Sequence, residues 1–416
     1  MTQRRIKTHQ KVLFFITGAI FFLTMCNIYI VTRNKRGLRF YSLNGFLYSK
    51  EAKILNNAVN LVSNPGNIAG TSTKLSANYS GSDNSNMHNG RDDIIIPGKY
   101  AWIPYPVKRN PSGPFILKAN DGSVIKYTNY TFYPLTINSS YIINNPNICK
   151  DVKNLTFLIM VHTAVPNFYQ RQALRETWAN PRLLKQHSSR ILFLVGRYDN
   201  ETVERSLETE SKHFQDIVQG DFIDDYHNLT HKGVLGYRWI TEYCQNAKFI
   251  LKIDDDVFVN IFRLILLLPN FEDGQRKIAG RLHEYVYMYR SGKFAVDPDY
   301  FPGLNYFPLP YCPGPFVLMP RSIVPEMFEA ARTAPFIWVD DFYLFGVLPN
   351  QIRNVSFVSL GDVHDKEETA LKCYLGDKPC DFLAAYAWTP GVMYIYWNST
   401  LNMHKELVEK YAIKIR

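Results

Sequence analysis

At 416 residues the chain has room for one large domain or two ordinary ones, and a hydrophobic content of 46% supports a sizeable core. The net charge of +10 raises the question of nucleic acid, but no long Lys/Arg block lies outside the flanks of the first apolar run, which argues against that class. Aromatic residues reach 14%, a level that suits stacking surfaces as well as plain packing.

The first element is Val12–Val31, an uncharged run of 20 residues and long enough to span a bilayer. Arg4, Arg5, Lys7 and Lys11 precede it and Arg33, Lys35, Arg36 and Arg39 follow, so the positive charges alone do not orient it. The run is long for a cleaved signal peptide, and no small-residue cleavage site follows. N-x-S/T sequons at Asn78, Asn129, Asn138, Asn154, Asn200, Asn228, Asn354 and Asn398 all lie after the run. They favour a short cytosolic tail (1–11), a signal anchor (12–31) and a lumenal or extracellular remainder. Cys26 falls in the span. Cys149, Cys244, Cys312, Cys373 and Cys380 would then meet an oxidising compartment, where two disulfides and one leftover thiol is the simplest arrangement. Cys373 and Cys380 are near enough in sequence to close a short loop.

A stem follows over 32–147. Asn64–Gly90 is rich in Asn, Ser and Gly and reads as a spacer without a core. Ile94–Asn147 is richer in Tyr and Pro and suits packing on the next domain. From Lys153 the pattern becomes strand–helix alternation. Strands are expected at Phe157–Val161, Ile191–Val195, Asp216–Phe222 and Lys248–Ile253, and helices at Phe168–Ala179, Glu201–Phe214 and Leu229–Gln245. Such alternation implies an α/β domain with a mostly parallel sheet covered on both faces. The dinucleotide fingerprint G-x-G-x-x-G is absent after the first strand.

Candidate residues appear in the same order. Arg171 and Arg175 sit four apart on one helix face, placed either to fork onto phosphate oxygens or to make a structural salt bridge. In Asp221–Lys232, Asp224 or Asp225 is placed to cap a helix, Lys232 to reach an anion, and His227 and His231 read as a solvated face rather than a metal pair. The stretch FILKIDDDVFVN (249–260) ends a buried strand in Asp254, Asp255 and Asp256. Adjacent carboxylates repel and resist dehydration, and a divalent cation relieves both. Oxygen-only ligands point to manganese, magnesium or calcium rather than zinc. If the chain stays extended, Asp254 and Asp256 share one face. YCPGPFVLMP (311–320) reads as a tight loop entering a strand. FIWVDDFYLFG (336–346) sets Asp340 and Asp341 among aromatics, which raises a carboxyl toward general-base range, although either could instead cap a helix.

The ordered set RQALRETW, FLVG, QGDFIDDYHNLTHK, KIDDDVFVN, YCPGPFVLMP and VDDFYLFG resembles the β-1,3-galactosyltransferase/N-acetylglucosaminyltransferase family, glycosyltransferase family 31. The resemblance spans roughly Cys149 to Trp397. It implies a GT-A type Rossmann-like catalytic domain over 148–400 with a helical tail at 401–416, and a type II Golgi membrane protein. It also implies a UDP-sugar donor, a glycan acceptor on glycoprotein or glycolipid, and Mn²⁺, with Mg²⁺ as the alternative ion. By position Arg171, Arg175, Lys252, Asp254 and Asp255 look donor-side, Asp256 with Asp254 looks metal-side, and Asp341 looks like the catalytic base of an inverting transfer. Two departures stand out. The family's Glu before the base is Asp340 here. The family's carboxyl-terminal His near the metal aligns with Tyr386, leaving His364 as another candidate for that place. A catalytically silent family member acting as a glycosyltransferase chaperone is the competing reading.

Overall fold

The computed structural model describes residues 29–34, 37–42, 115–119, 122–127, 140–271, 275–298, 300–364 and 366–406. Chain contacts divide it into units 1–94 and 95–416. In the first unit the described residues form one antiparallel hairpin, β1 (Tyr29–Asn34) and β2 (Gly37–Ser42). The expected membrane span lies outside the described residues except for its last three, which begin β1. Among the described residues no helix is long and apolar enough to cross a membrane. The Asn64–Gly90 spacer and the chain end beyond 406 also lie outside them.

The second unit begins with a hairpin, β3 (Phe115–Lys118) and β4 (Val124–Tyr127), tied down where Asn350 exchanges hydrogen bonds with the Lys118 backbone at 3.1–3.2 Å. Its main sheet uses β5 (Tyr141–Ile143), β6 (Leu155–His162), β7 (Ser189–Arg197), β8 (Ile217–Ile223), β9 (Ala247–Asp254), β11 (Lys277–Gly280), β12 (Phe316–Pro320) and β13 (Ser356–Ser359). The order is β13-β11-β12-β9-β6-β7-β8-β5. The centre, β9-β6-β7-β8, is parallel; β5 and β12 join it antiparallel. Because β5 already pairs with β8, the sheet starts before residue 148, inside the segment read as stem. A second sheet, β10 (Val257–Val259), β15 (Ala384–Tyr386) and β14 (Val363–His364), hangs the carboxyl-terminal segment beside the end of β9.

The central strands are apolar on both faces, as parallel strands covered by helices require. Period-two alternation sends Leu158, Met160 and Ile250 to one core and Phe157, Ile159, Val161, Leu251 and Ile253 to the other. The first core is closed by the helices Leu229–Tyr243 and Val324–Ala331, the second by Phe168–Glu176 and Pro390–Met403. Gly236 lets the first of these helices approach the sheet: a Cβ there would collide with the Met160 sulfur.

All the expected strands and helices between 157 and 253 are present, with no end shifted by more than three residues and the helix Glu201–Phe214 matched at both ends. The helix from Phe168 stops at Glu176 because the chain turns at Thr177 to bury Trp178. A further short helix, Pro181–Gln186, follows. The triplet 254–256 does not stay extended: β9 ends at Asp254, and Asp255 and Asp256 form a turn into β10. The parallel order places the break in strand sequence between β6 and β9, the switch point beyond which α/β sheets bind ligands.

Two disulfides form, Cys149–Cys244 and Cys373–Cys380, and Cys312 stays a buried thiol. They close loops of very different length, with sequence separations of 95 and 7. On chain entropy the first contributes about 4.5 kcal/mol and the second roughly 2.5 kcal/mol. In urea titrations, Cys149→Ser/Cys244→Ser is expected to lower the unfolding free energy more than Cys373→Ser/Cys380→Ser; the reverse order would show that native-state contacts outweigh the loop term.

Candidate active site

The carboxyl ends of β6 and β9 meet the start of the helix Asp340–Phe342 around one buried ammonium, Lys252, which is 1% exposed. Strand alternation puts Lys252 and Asp254 on the same face of β9, and Lys252 Nζ donates to Asp254 Oδ1 at 2.7 Å. Burial alone would favour the neutral amine, but Asp254, Asp341 and Asp340 push its pKa up and keep it charged. Asp340 and Asp341 lie on the other side. Burial and the Asp341 charge raise Asp340 to about 8, against a smaller opposing effect of Lys252. Burial also raises Asp341, again opposed by Lys252. Neither caps a helix, since Val339 occupies the N-cap and no side-chain cap bond forms. Gly314, in the loop before β12, presses against Asp341 Oδ1 and Lys252 Nζ, and its backbone N–H supports Asp341. A side chain at 314 would separate the lysine from the acid.

The three triplet acids are sorted by their partners. Asp255 accepts from Thr163 Oγ1 at 2.5 Å and Asn167 Nδ2 at 2.9 Å, which turns it toward the loop after β6. Asn167 thereby gives up its side chain to Asp255 instead of capping the helix that follows it. Asp254 faces Lys252. No ion pair to Asp256 is present among the described residues; burial, then Asp254 and Asp255, raise it to about 7. That repulsion is what a cation would relieve. Among the described residues no group of three or more acidic, His or Cys side chains converges on an ion. Asp254 and Asp256 could supply at most two carboxylates to a hard cation, and substrate phosphates and water would have to complete its shell.

Arg171 and Arg175 do not present their forks to an open face. Arg171 donates to Glu210 at 2.7 Å, to Ala164 O at 2.7 Å and to Val165 O at 3.0 Å. Arg175 bonds Glu210 at 2.6 Å and Asp216 through both remaining nitrogens at 2.8 Å. Both are buried and their donors are occupied by the protein, the structural salt bridge that their spacing also allows. Their link to the site runs through the loop they brace, whose Thr163 and Asn167 hold Asp255. Lys232 is likewise not free: its Nζ donates to Asp224 Oδ1 and Thr163 O, each at 2.6 Å. Asp225, rather than Asp224, caps the turn at Tyr226–Asn228. His231 is buried against Phe222 and Phe336 while His227 is exposed, so these two do not share a solvated face.

His162 ends β6 and was not singled out by sequence. It is 4% exposed, pairs in register with Asp254, and its Nδ1 stands 3.9 Å from Asp340 Oδ2. Among the described residues neither ring nitrogen has a hydrogen-bond partner. Burial, with Lys252 and Lys232 nearby, holds its pKa well below the usual value. A single histidine at the end of an apolar strand gives no signal in sequence; the partners that make it notable lie far along the chain.

The carboxyl-terminal segment reaches the acids through the small sheet. Tyr386 pairs with Val257, and Ala387 N donates to Asp256 O at 2.7 Å. Tyr386 thus stands beside the triplet, at the place the resemblance assigns to a histidine. The His364 backbone pairs one strand further away, with Ala385.

The Galactosyltransferase family profile matches residues 169–359, which hold the triplet, Gly314 and the acid pair. Mouse β-1,3-galactosyltransferase 1 is 31% identical over 268 residues, covering 62% of this chain and 77% of its own. Pig UDP-GalNAc:β-1,3-N-acetylgalactosaminyltransferase 1 is 32% identical over 221 residues, covering 52% and 64%. Among solved structures, a glycosyltransferase that glycosylates the major capsid of PBCV-1 is 10% identical, covers 59% of this chain and 99% of its own, and has a TM-score of 0.30. With the mouse enzyme matched over 77% of its length at 31% identity, the chain belongs to the β-1,3-galactosyltransferase family, glycosyltransferase family 31.

Proposed function

We propose that the chain is an inverting hexosyltransferase that moves Gal, GalNAc or GlcNAc from a UDP-sugar to a glycan hydroxyl in β-1,3 linkage, using a GT-A type site. The observation that carries this reading is the meeting of the triplet and the Asp340–Asp341 pair about Lys252 at the switch point of the sheet. The names of the relatives, a galactosyltransferase and an N-acetylgalactosaminyltransferase, support the reaction class. The uncharged run 12–31 and the sequons after it support a single-pass Golgi protein with its catalytic domain in the lumen.

In this reading Asp255, fixed by Thr163 and Asn167, is a ready acceptor for donor hydroxyls. Asp256 with Asp254 would hold Mn²⁺ or Mg²⁺, which when bound offsets the charge of the pyrophosphate leaving group. Asp341 takes the proton from the acceptor hydroxyl as that oxygen attacks the anomeric carbon from the face opposite UDP. One displacement inverts the centre, and no covalent enzyme intermediate forms. Lys252 tempers the charge of both acid groups, and Asp340, which burial and the Asp341 charge raise, is taken to hold the proton that two adjacent carboxyls share. The intact acids favour this enzyme over a silent chaperone.

Turnover of UDP-sugars by the purified chain with Mn²⁺, across donors and with linkage analysis of the product, tests the reading; absence of both turnover and UDP binding would favour the silent partner. Asp341→Asn is expected to cut transfer by about 10²–10⁴-fold, the usual share of a general base, while UDP affinity stays near wild type. Retained transfer would move the base elsewhere. Asp256→Ala is expected to weaken metal-dependent UDP binding by about tenfold or more, read by calorimetry with and without Mn²⁺. Unchanged metal dependence would remove Asp256 from the ligand set.

The acid pair also sets a pH dependence. A base works only when ionised, and a raised pKa keeps it protonated to higher pH, so kcat/KM should climb with pH above the ordinary carboxylate range of about 4. Asp340 keeps its proton while Asp341 ionises, so Asp340→Asn, which mimics the neutral carboxyl, should leave that acidic limb nearly in place. A large shift to lower pH would show that Asp340 is charged when Asp341 titrates.

A further inference from the structure

Three separate segments bring aromatic rings to the mouth of this site. Tyr226 comes from the turn after β8, Phe294 from the long loop between β11 and β12, and Trp338 stands two residues before Asp340. The Tyr226 ring lies 6.0 Å from Trp338 and 6.4 Å from Phe294, centroid to centroid, and His227 lies 4.7 Å from Trp338. Lys293 Nζ sits 4.6 Å above the Tyr226 ring. The Trp338 indole is pinned, its Nε1 donating to Ala295 O at 3.1 Å.

These rings are not core residues. Tyr226 is 41% exposed and Phe294 52% exposed, and because the rings adjoin one another they make a contiguous apolar patch, the kind of surface that marks a binding site. Their position relative to the acids is recorded in the Tyr226 phenol, which burial pushes up, followed by the charges of Asp340, Asp341 and Asp254, in that order. The platform therefore adjoins the acid pair, and Trp338 ties it there by standing two residues before Asp340, while Tyr386 and Trp388 lie by Asp256.

We propose that Tyr226, Phe294 and Trp338, with His227 and Lys293 at their edge, form the acceptor subsite: a platform for the C–H face of a pyranose whose hydroxyl is thereby directed at Asp341. The proposal rests on the hexosyltransferase reading for what is done to that sugar, but not for its binding. Rigid aromatic faces suit such a ligand. A pyranose offers an apolar C–H face and a hydroxyl rim, and burying the face leaves the rim to seek polar partners, of which the acid pair is the nearest. The pinned indole and the lysine-covered phenol lose little freedom when the sugar lands.

The test separates sugar binding from catalysis. Saturation-transfer NMR is run on the whole chain with N-acetyllactosamine, lactose and methyl β-xyloside, without UDP. Stacking predicts the strongest enhancement on the C–H protons of one pyranose face of at least one of these sugars, and its loss in Tyr226→Ala/Phe294→Ala. In transfer assays the same variant should raise acceptor KM by about tenfold or more, with UDP affinity and acceptor-free hydrolysis of the UDP-sugar unchanged. Phe294→Trp, which keeps a ring, should restore most of the loss. Absence of any face-selective enhancement in the wild type, its survival in the double variant, or a matching loss of UDP affinity would each overturn the platform. Sugar binding without UDP binding or turnover would instead overturn the enzyme reading and leave the platform standing. Both rings are exposed, so an unchanged thermal melt is expected and confirms that the variant is folded.

Discussion

A charged lysine buried in a β-strand is the constraint on which the site is built. Removing an ammonium from water costs several kcal/mol even after relaxation, and only close counter-charge offsets it. Lys252 meets that need with Asp254 at 2.7 Å and with Asp340 and Asp341 beyond. The match is deliberately uneven in charge. Burial first, and then the surplus of carboxyls around one ammonium, keep Asp256 and Asp340 raised, to about 7 and about 8. A pocket in this condition favours ligands that bring positive charge on one side and a proton to be removed on the other. Gly314 belongs to the same constraint, because the lysine and Asp341 can approach only where no side chain intervenes.

A second set of buried charges does a different job. Glu210 joins Arg171 and Arg175, and Asp216 closes the group, all with little exposure. Such clusters are weak stabilisers overall, because desolvation consumes most of the attraction, but they fix geometry strongly when all donors are used. Here the geometry fixed is that of the loop after β6. Arg171 holds the carbonyls of Ala164 and Val165, and the flanking Thr163 and Asn167 hold Asp255. Basic residues whose spacing suits phosphate thus act on the structure, by setting one carboxylate of the triplet. Lys232 acts alike, joining Asp224 to the Thr163 carbonyl.

How much of this was legible follows from which contacts are local. The parallel core could be read because each strand, buried on both faces, is a short continuous run of apolar residues between helical repeats. After Val257 the strands are short, partly antiparallel and separated by Tyr- and Pro-rich loops, and no period marks them. The acid triplet and Asp341 were visible as motifs. The fate of Arg171 was not, since an Arg fork looks the same whether it faces phosphate or Glu210, and Glu210 lies 39 residues away. The extended geometry assumed for the triplet failed at Asp255, whose bonds to residues 88 and 92 positions earlier draw the chain into a turn. His162 and the Tyr226 platform depend on convergence of distant segments, which composition hints at but spacing does not show.

The substitution of tyrosine for histidine at 386 can now be weighed. Position is kept: β15 pairs with β10, Tyr386 stands opposite Val257, and the Ala387 amide is bonded to the Asp256 carbonyl. Chemistry is changed, because a neutral phenol is a far poorer ligand for a divalent ion than an imidazole nitrogen. The burden of holding such an ion then falls on Asp256, on Asp254 and on the pyrophosphate itself. Asp254 is already engaged by Lys252, so the ion and the lysine compete for one carboxylate. On the proposed reading, a site arranged in this way would bind its ion weakly alone and firmly only with nucleotide present, since the phosphates would supply the oxygens that the protein lacks. The tyrosine at 386 would then alter the order in which ion and donor assemble rather than abolish the place where they meet.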